Sequence, residues 1–246
     1  MALLWRKQKD GTTYEVRSAG RTRRLYTDGV FHSQLNLGRP VNGGLWDLLV
    51  LPAFLVPEGR VRRVLVLGVG GGAVLRQLQH FFEPEVLVGV ELDPVHLYVA
   101  RRFFGLRGRN FELHQADAVA WVESYEGPPF DLIVDDLYGQ VDGEPVRAKA
   151  GARWMSTLTR RLCRHGVLVM NFVARHEMHG SALGHRAARR FGSIFELTHP
   201  LLDNSVAAFT LQPSTIDSLH RRLEAVAELD PRKKTCPLRF QIRQIA

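Results

Sequence analysis

Residues 63–94 constrain the fold of this chain more than any other stretch of the sequence. An unbroken apolar run at residues 64–67 is too short for a helix and rich in β-branched side chains, which is typical of a strand buried on both faces of a parallel sheet. A glycine-rich segment and a helical apolar pattern follow, and a second apolar run at residues 86–90 ends on Glu91. This order predicts a β–glycine loop–α–β unit that cradles a nucleotide.

The glycine-rich segment indicates a nucleotide ligand. Gly68, Gly70 and Gly72 fall within the pattern G-x-G-x-x-G/A, which ends here on Ala73. Such glycines let the backbone turn sharply and let a ligand approach the main chain. Glu91 lies where an acid that binds a ribose is expected. A nicotinamide dinucleotide and an adenosyl cofactor both use this turn, and a purely structural turn is the third alternative.

Composition places the chain among ordinary globular proteins. Its 246 residues suffice for one substantial domain with a small appendage, and contents of 45% hydrophobic and 24% charged residues are typical. No apolar stretch is longer than a strand, so neither a membrane span nor a signal peptide is expected. Cys163 and Cys236 are the only cysteines, which excludes a disulfide framework and favours a reducing compartment. We therefore predict a cytoplasmic protein.

The chain is basic, with a net charge of +8 and a pI near 10.0. Basic clusters at residues 21–24 and 232–234 raise the alternative of nucleic acid or another polyanion as a partner. Nucleic acid is not favoured, because no basic motif with interleaved aromatic residues accompanies the charge. A membrane partner is not expected, and a homodimer is left open.

Turn and periodicity signals divide the chain into three predicted segments. Residues 1–44 form a β-hairpin region, since the pair Asp28-Gly29 separates short extended stretches. Residues 45–213 form the nucleotide-binding domain. Residues 214–246 form an amphipathic helix and a basic tail.

Within the central segment, apolar runs alternate with helical patterns, which predicts an α/β fold with a mostly parallel sheet. Two strands within residues 194–211 follow each other without an intervening helix and predict an antiparallel edge pair. A buried helix is expected at residues 45–56, a mobile loop at residues 140–149 and a polar helix at residues 182–190.

Acids follow three successive predicted strands. Glu91 and Asp93 come after the second strand, Asp117 after the third, and Asp135 and Asp136 after the fourth. Because ligands of open α/β sheets bind outside the carboxyl ends of the strands, these acids predict a binding site at that edge. For Asp93 and Asp117 a simple helix cap is the alternative.

The motifs VLVLGVGGGAVLRQL, VGVELDP, HQADA and FDLIVDD, in this order and spacing, resemble the spermidine synthase branch of the class I S-adenosylmethionine-dependent transferases. The upstream segment RLYTDGV resembles the small N-terminal β domain of that family, and the likeness covers about residues 12–212. It implies a Rossmann-like class I methyltransferase fold, with a seven-stranded, mostly parallel sheet and an antiparallel edge pair, preceded by a small N-terminal β appendage. An adenosyl cofactor is favoured over a nicotinamide dinucleotide.

The resemblance also implies roles for single residues. Seven are assigned to cofactor binding: Gly68, Gly70 and Gly72 at the methionine end, Glu91 at the ribose with Asp93 beside it, and Asp117 with Ala118 at the adenine. Asp136 matches the family's catalytic aspartate, which helps to position and deprotonate an attacking amine. Asp135 is expected to assist it.

Several positions depart from the family's pattern. The aspartate that the family carries inside the glycine loop, beside the amine of the cofactor, is Gly71 here. The family's Tyr-His pair falls on Leu45 and Trp46, and a glutamine of the β domain falls on His32. Since a decarboxylated cofactor and a polyamine are both cationic, a site without these groups on a basic protein complements them poorly. We therefore expect intact S-adenosylmethionine as the cofactor.

The predicted reaction is methyl transfer to an unidentified acceptor, by in-line displacement at the sulfonium, with Asp136 as base or orienting group. One alternative is aminopropyl transfer from decarboxylated S-adenosylmethionine, as in spermidine synthases. The other is a non-catalytic protein that binds an adenosyl compound or nucleic acid. His176 and His179 have a spacing that suits a metal, but no third ligand follows in pattern, so no metal is expected.

Overall fold

The computed structural model describes residues 1–141, 144–147, 150–180 and 186–246. An antiparallel sheet of four strands comes first, in the order β1-β2-β3-β4: β1 (Ala2–Lys9), β2 (Thr12–Ala19), β3 (Thr22–Thr27) and β4 (Val30–Asn36). The Asp28-Gly29 turn lies between β3 and β4, with Asp28 at a φ of 47°. The sequence did not indicate β1, because seven of its eight residues are exposed and no alternation marks a buried face.

The second sheet has eight strands: β5 (Arg63–Leu67), β6 (Val86–Glu91), β7 (Phe111–Gln115), β8 (Phe130–Asp135), β11 (Leu162–Phe172), β12 (Ser193–Thr198), β13 (Ser205–Thr210) and β14 (Gln241–Gln244). Their order in the sheet is β14-β12-β13-β11-β8-β5-β6-β7. The central strands are parallel, and β12, β13 and β14 are antiparallel to their neighbours. The predicted class I fold with its N-terminal β appendage is confirmed. The sheet has one strand more than expected, because the basic tail contributes β14.

Helices cover both faces of this sheet, as the alternating sequence pattern predicts. They are α1 (Leu45–Val50), α2 (Ala73–Phe82), α3 (Pro94–Arg102), α4 (Ala118–Ser124), α5 (Ala152–Thr159), α6 (Arg175–Met178) and α7 (Ile216–Glu224). One buried cluster includes Leu75 of α2 and Leu219 of α7, and another includes Val122 of α4 and Leu158 of α5. The division of the chain at residues 44 and 213 stays a prediction.

Three predicted connections differ in the structure. The helix expected at residues 45–56 is α1 followed by a 3₁₀ turn, Leu51–Leu55, in which Pro52 has no N–H to continue the α-helical bonding. The loop expected at residues 140–149 contains part of a hairpin, β9 (Tyr138–Val141) with β10 (Glu144–Arg147). Of the helix expected at residues 182–190, positions 186–190 form a 3₁₀ turn and the earlier ones lie outside the described residues.

The C-terminal tail closes one edge of the sheet. Its strand β14 pairs with β12, and Arg243 donates two hydrogen bonds to the buried carboxylate of Glu196. In the described ranges, no helix has the length and apolar character needed to cross a membrane. The cytoplasmic location stays a prediction.

We predict that Leu65→Ala lowers the free energy of unfolding by about 2–5 kcal/mol, because it leaves a cavity in a packed core. Leu65 is fully buried in β5, between β6 and β8. Leu201→Ala serves as the matched control, since Leu201 is 85% exposed, and its effect should stay within about 0.5 kcal/mol. Urea unfolding followed by circular dichroism measures both. Equal stabilities of the two variants would contradict the placement of β5.

Candidate active site

The carboxyl ends of four neighbouring strands bring the predicted site residues to one edge of the sheet. Leu67, the last residue of β5, pairs with Val90 of β6 and with Asp135 of β8. Glu91 of β6 pairs with Gln115 of β7, two residues before Asp117. The acids therefore stand beside the glycine loop that follows β5, where an open α/β sheet binds its ligands.

Gly68 fixes the start of the glycine loop. Its φ is +81°, and a Cβ at this position would collide with the carbonyl oxygen of Asp136. The Gly68 N–H donates to the carbonyl oxygen of Val90 at 3.0 Å, and the Asp136 N–H donates to that of Leu67 at 2.9 Å. The loop and the residue predicted to be catalytic are thus locked together by their main chains, and only glycine fits at position 68.

Glu91 organises the rest of this loop. One oxygen of its carboxylate accepts from the N–H groups of Val69 at 3.0 Å and Gly70 at 2.8 Å, and the other accepts from the Asp93 N–H at 3.0 Å. Burial would raise the pKa of Glu91, but neighbouring His96 and these backbone donors hold it below its ordinary value. A carboxylate has about four acceptor sites, so Glu91 keeps room for roughly one ligand hydroxyl.

The other two acids of the cofactor set are both helix caps. Asp93 accepts from the Val95 N–H at 2.7 Å and, with its second oxygen, from the hydroxyl of Tyr14 at 2.7 Å. Asp117 accepts from the Ala120 N–H at 2.8 Å and its side chain remains exposed. Ala118, the first residue of α4, is buried. Asp93 is therefore occupied by protein groups, whereas Asp117 remains accessible to a ligand.

The N-terminal sheet forms a wall of the site. Its Thr27 hydroxyl lies 2.8 Å from Nε2 of His96, whose Nδ1 lies 3.8 Å from the Glu91 carboxylate. The rings of His32 and His96 are 5.0 Å apart between centroids. Burial, with a smaller contribution from His96, lowers the pKa of His32 to about 4, so this imidazole is neutral at physiological pH. No pattern in the sequence predicts the contact between Thr27 and His96, which lie 69 positions apart.

Asp135 and Asp136 have different environments. Asp135 is fully buried, and its carboxylate accepts from Arg147 at 2.5 Å and from the indole N–H of Trp154 at 2.8 Å. Asp136 is partly exposed and accepts from the side-chain amide of Asn171 at 2.7 Å. Burial raises the pKa of Asp136 to about 6, against the opposing effects of Asn171 and Arg147. Asp136 thus has the access and basicity of a proton acceptor, and Asp135 anchors the β9–β10 hairpin.

Position 71 is closely packed. A Cβ on Gly71 would lie 2.7 Å from Cβ of Ser33 and 2.8 Å from Cζ of Phe104. An aspartate does not fit there without displacing both neighbours. At another of the departing positions, the Trp46 ring packs edge-on against Phe31, with centroids 4.9 Å apart. These positions are therefore filled by packing, and they offer no charged or hydroxyl group to a cationic ligand.

An open cavity of about 650 Å³ lies beyond the carboxyl end of β11 rather than over the glycine loop. His176 and His179 line it together with Arg175 and Asp203. It begins at Val173, two residues after Asn171, which places it on the Asp136 side of the sheet edge. Asn171 could have been recognised in the sequence, because it ends an apolar run as the acids do.

The fold is that of the class I methyltransferases, and the glycine loop and the acids lie at the edge where such a sheet binds its ligand. No family model matches the chain. A polyamine aminopropyltransferase of Chromobacterium violaceum is 26% identical over 204 residues, which cover 81% of this chain and 77% of that protein. A probable spermidine synthase of Corynebacterium glutamicum superposes with a TM-score of 0.75 at 16% identity, covering 99% of this chain and 90% of that structure.

A methyltransferase is also among the relatives. The mouse eEF1A lysine and N-terminal methyltransferase is 29% identical over 124 residues, 46% of this chain but only 17% of that protein. These similarities support the predicted resemblance to the spermidine synthase-like branch of the class I S-adenosylmethionine-dependent transferases. The chain is a transferase, and the names of its relatives favour aminopropyl transfer over the methyl transfer that was the first expectation.

We predict that Glu91→Gln weakens binding of S-adenosylmethionine by about 10- to 100-fold, because hydrogen bonds to a charged group contribute roughly 1.5–3 kcal/mol. In addition, the NH₂ group of the new glutamine can face the N–H groups of the glycine loop, which at present donate to the Glu91 carboxylate. Isothermal titration calorimetry measures the affinity, and the melting temperature checks folding. Glu112→Gln, at an exposed position of β7, is the matched control and should bind like the parent. Unchanged affinity in folded Glu91→Gln would remove this residue from the site.

Proposed function

We propose that this protein transfers a methyl group from intact S-adenosylmethionine to a nucleophile whose proton Asp136 accepts. The packing at Gly71 is the observation that favours a methyl group over an aminopropyl group as the group transferred. In the resembling family, an aspartate at this position lies beside the amine of the cofactor. Here Ser33 and Phe104 occupy the space that such a side chain would need. A cofactor that retains its own carboxylate suits this neutral end of the site better than a decarboxylated, cationic one.

Aminopropyl transfer is the second candidate, and the names of the relatives support it. The aminopropyltransferase of Chromobacterium violaceum aligns over most of this chain, whereas the methyltransferase aligns over less than half. The packing at Gly71 therefore favours transfer of a methyl group, whereas the overall sequence similarity favours transfer of an aminopropyl group by the same fold. Because both reactions displace a thioether from an adenosyl sulfonium, both would use the same proton acceptor.

The residues at the sheet edge fit an adenosyl sulfonium cofactor. Glu91 has an acceptor site left for a ribose hydroxyl, and the exposed carboxylate of Asp117 can accept from an amino group. When bound, the cofactor supplies an electrophilic carbon attached to a cationic sulfur. Positioning of the nucleophile then dominates the catalysis.

Asp136 is suited to remove the proton of the nucleophile. Its pKa of about 6 keeps it ionised at neutral pH and still basic enough to share a proton in the transition state. Asn171 holds one carboxylate oxygen, so the other is oriented for the nucleophile. The Asp135 carboxylate is held by Arg147 and accepts from the N–H of Leu137, on the other side of Asp136, which assigns Asp135 a positioning role.

The choice of cofactor is tested by calorimetric titration with S-adenosylmethionine, its decarboxylated form and NAD. We predict that the intact compound binds at least about tenfold more tightly than the decarboxylated one, the equivalent of roughly 1.4 kcal/mol. Preference for the decarboxylated form, together with polyamine formation when putrescine is supplied, would replace the proposal by the second candidate. Preference for NAD would contradict both.

The role of Asp136 is tested with Asp136→Asn. We expect the transfer rate to fall by about 10²- to 10⁴-fold, because the general base is lost while the hydrogen bond to Asn171 is kept. In the parent protein the rate should rise with pH through about 6 and then level off, since the carboxylate form is the active one. The variant should lose this inflection without a lower melting temperature. Single-turnover rates measured from pH 5 to 8 for both proteins test this prediction. An inflection near pH 6 that persists in Asp136→Asn would show that another residue is the base.

A further inference from the structure

The amino-terminal edge of the sheet, opposite the proposed adenosyl site, carries a cluster of side chains of the types that ligate metals. Asp131 is the second residue of β8, and Cys163 and His165 lie two residues apart on β11. Their ligand atoms all lie within 4.8 Å of one another. We propose that these three residues bind a divalent transition metal ion of the zinc type.

Two of the three distances between ligand atoms are close to those that a tetrahedral ion requires. Oδ1 of Asp131 lies 3.0 Å from Nε2 of His165 and 3.2 Å from Sγ of Cys163. Zinc bonds of about 2.0–2.3 Å at tetrahedral angles place neighbouring ligand atoms roughly 3.3–3.6 Å apart. For these two pairs, side-chain shifts of a few tenths of an ångström would give the separations that the ion needs, and the third pair, Sγ of Cys163 and Nε2 of His165, lies within 4.8 Å.

The backbone helps to place all three proposed ligands. Pairing of β11 with β8 shifts in register between Leu162 and Val167, so the four residues 163–166 of β11 stand against the single residue Asp131 of β8. Such a bulge re-aims side chains, and here it contains both Cys163 and His165. On β8, the other oxygen of Asp131 accepts from the N–H groups of Arg62 at 2.9 Å and Arg63 at 2.8 Å. These bonds orient the carboxylate so that Oδ1 faces the other two ligands.

The ligand set selects the metal by its chemistry. A thiolate and an imidazole favour zinc-like ions over magnesium or calcium, which prefer oxygen ligands. One carboxylate, one thiolate and one neutral imidazole balance the two positive charges of the ion, so the arginine-rich surroundings do not oppose binding. His165 and Cys163 are partly exposed, which leaves the fourth position to water.

Without a metal, Asp131 accepts hydrogen bonds from the thiol and the imidazole, and the cluster is a hydrogen-bonded link between β8 and β11. With a metal, the thiol loses its proton and the same three side chains become ligands. The two states differ in a property that can be measured directly, the presence of a metal–thiolate bond. This proposal replaces the expectation, drawn from the sequence, that the chain binds no metal.

The test is a titration of the reduced, untagged protein with Co²⁺, followed by absorption spectroscopy. We expect a thiolate-to-cobalt charge-transfer band in the near ultraviolet and visible bands typical of tetrahedral cobalt, both removed by stoichiometric Zn²⁺. Cys163→Ser should abolish the charge-transfer band, and His165→Gln should weaken Co²⁺ binding at least tenfold. Cys236→Ala is the matched control, because Cys236 is the only other cysteine and is buried elsewhere.

Two results would overturn the proposal. One is the absence of a charge-transfer band in the parent protein at an excess of Co²⁺, with a melting temperature that Zn²⁺ does not raise. The other is an identical Co²⁺ spectrum in the parent and in Cys163→Ser. Melting temperatures of the metal-free variants show whether each variant is folded. If Cys163→Ser is not folded, His165→Gln provides the test, because it changes a partly exposed side chain.

Discussion

The hydrogen bonds from the glycine loop to the Glu91 carboxylate are the interaction on which the proposed adenosyl site depends. They join the end of β6 to the loop after β5, so the acid that is predicted to bind the ribose and the loop cannot move independently. The positively polarised N–H groups of Val69 and Gly70 favour the ionised carboxylate in a partly buried place. The same bonds occupy most of its acceptor sites, which makes it a selective acceptor of about one further hydroxyl rather than an open anionic patch.

Much of this fold follows from the sequence, because the signals are local. The apolar run before Gly68 and the acid at Glu91 predict two strands, a turn and their relative order, and parallel pairing then brings their carboxyl ends together. The hairpin that carries Arg147 could not be predicted in this way. Its stability comes from a buried ion pair with Asp135 and from contacts of Tyr138 with β11, which join segments that carry no periodic pattern of their own.

The pair Asp135-Asp136 shows where sequence reasoning stops within the site. Both residues end the same apolar strand, and the letters alone do not tell which one faces the ligand. Side chains alternate along a strand, so one carboxylate is directed into the core and is neutralised by Arg147, while its neighbour meets Asn171 at the surface of the site. The distinction depends on partners 12 and 35 residues away, which only the folded chain brings into place.

The raised pKa of Asp136 also has a consequence for the energetics of the proposed transfer. As Asp136 accepts the proton of a neutral nucleophile, it loses its negative charge while the positive charge of the sulfonium is lost with the departing thioether. A pair of opposite charges therefore disappears during the reaction. A site with few compensating groups stabilises the charged reactants less than water does. The burial that makes Asp136 basic therefore also favours the reaction and weakens retention of the product. The neutral His32 and the packed Gly71 are consistent with this energetics. Neither position adds a charge to the site that would lack a partner after the sulfonium has lost its charge.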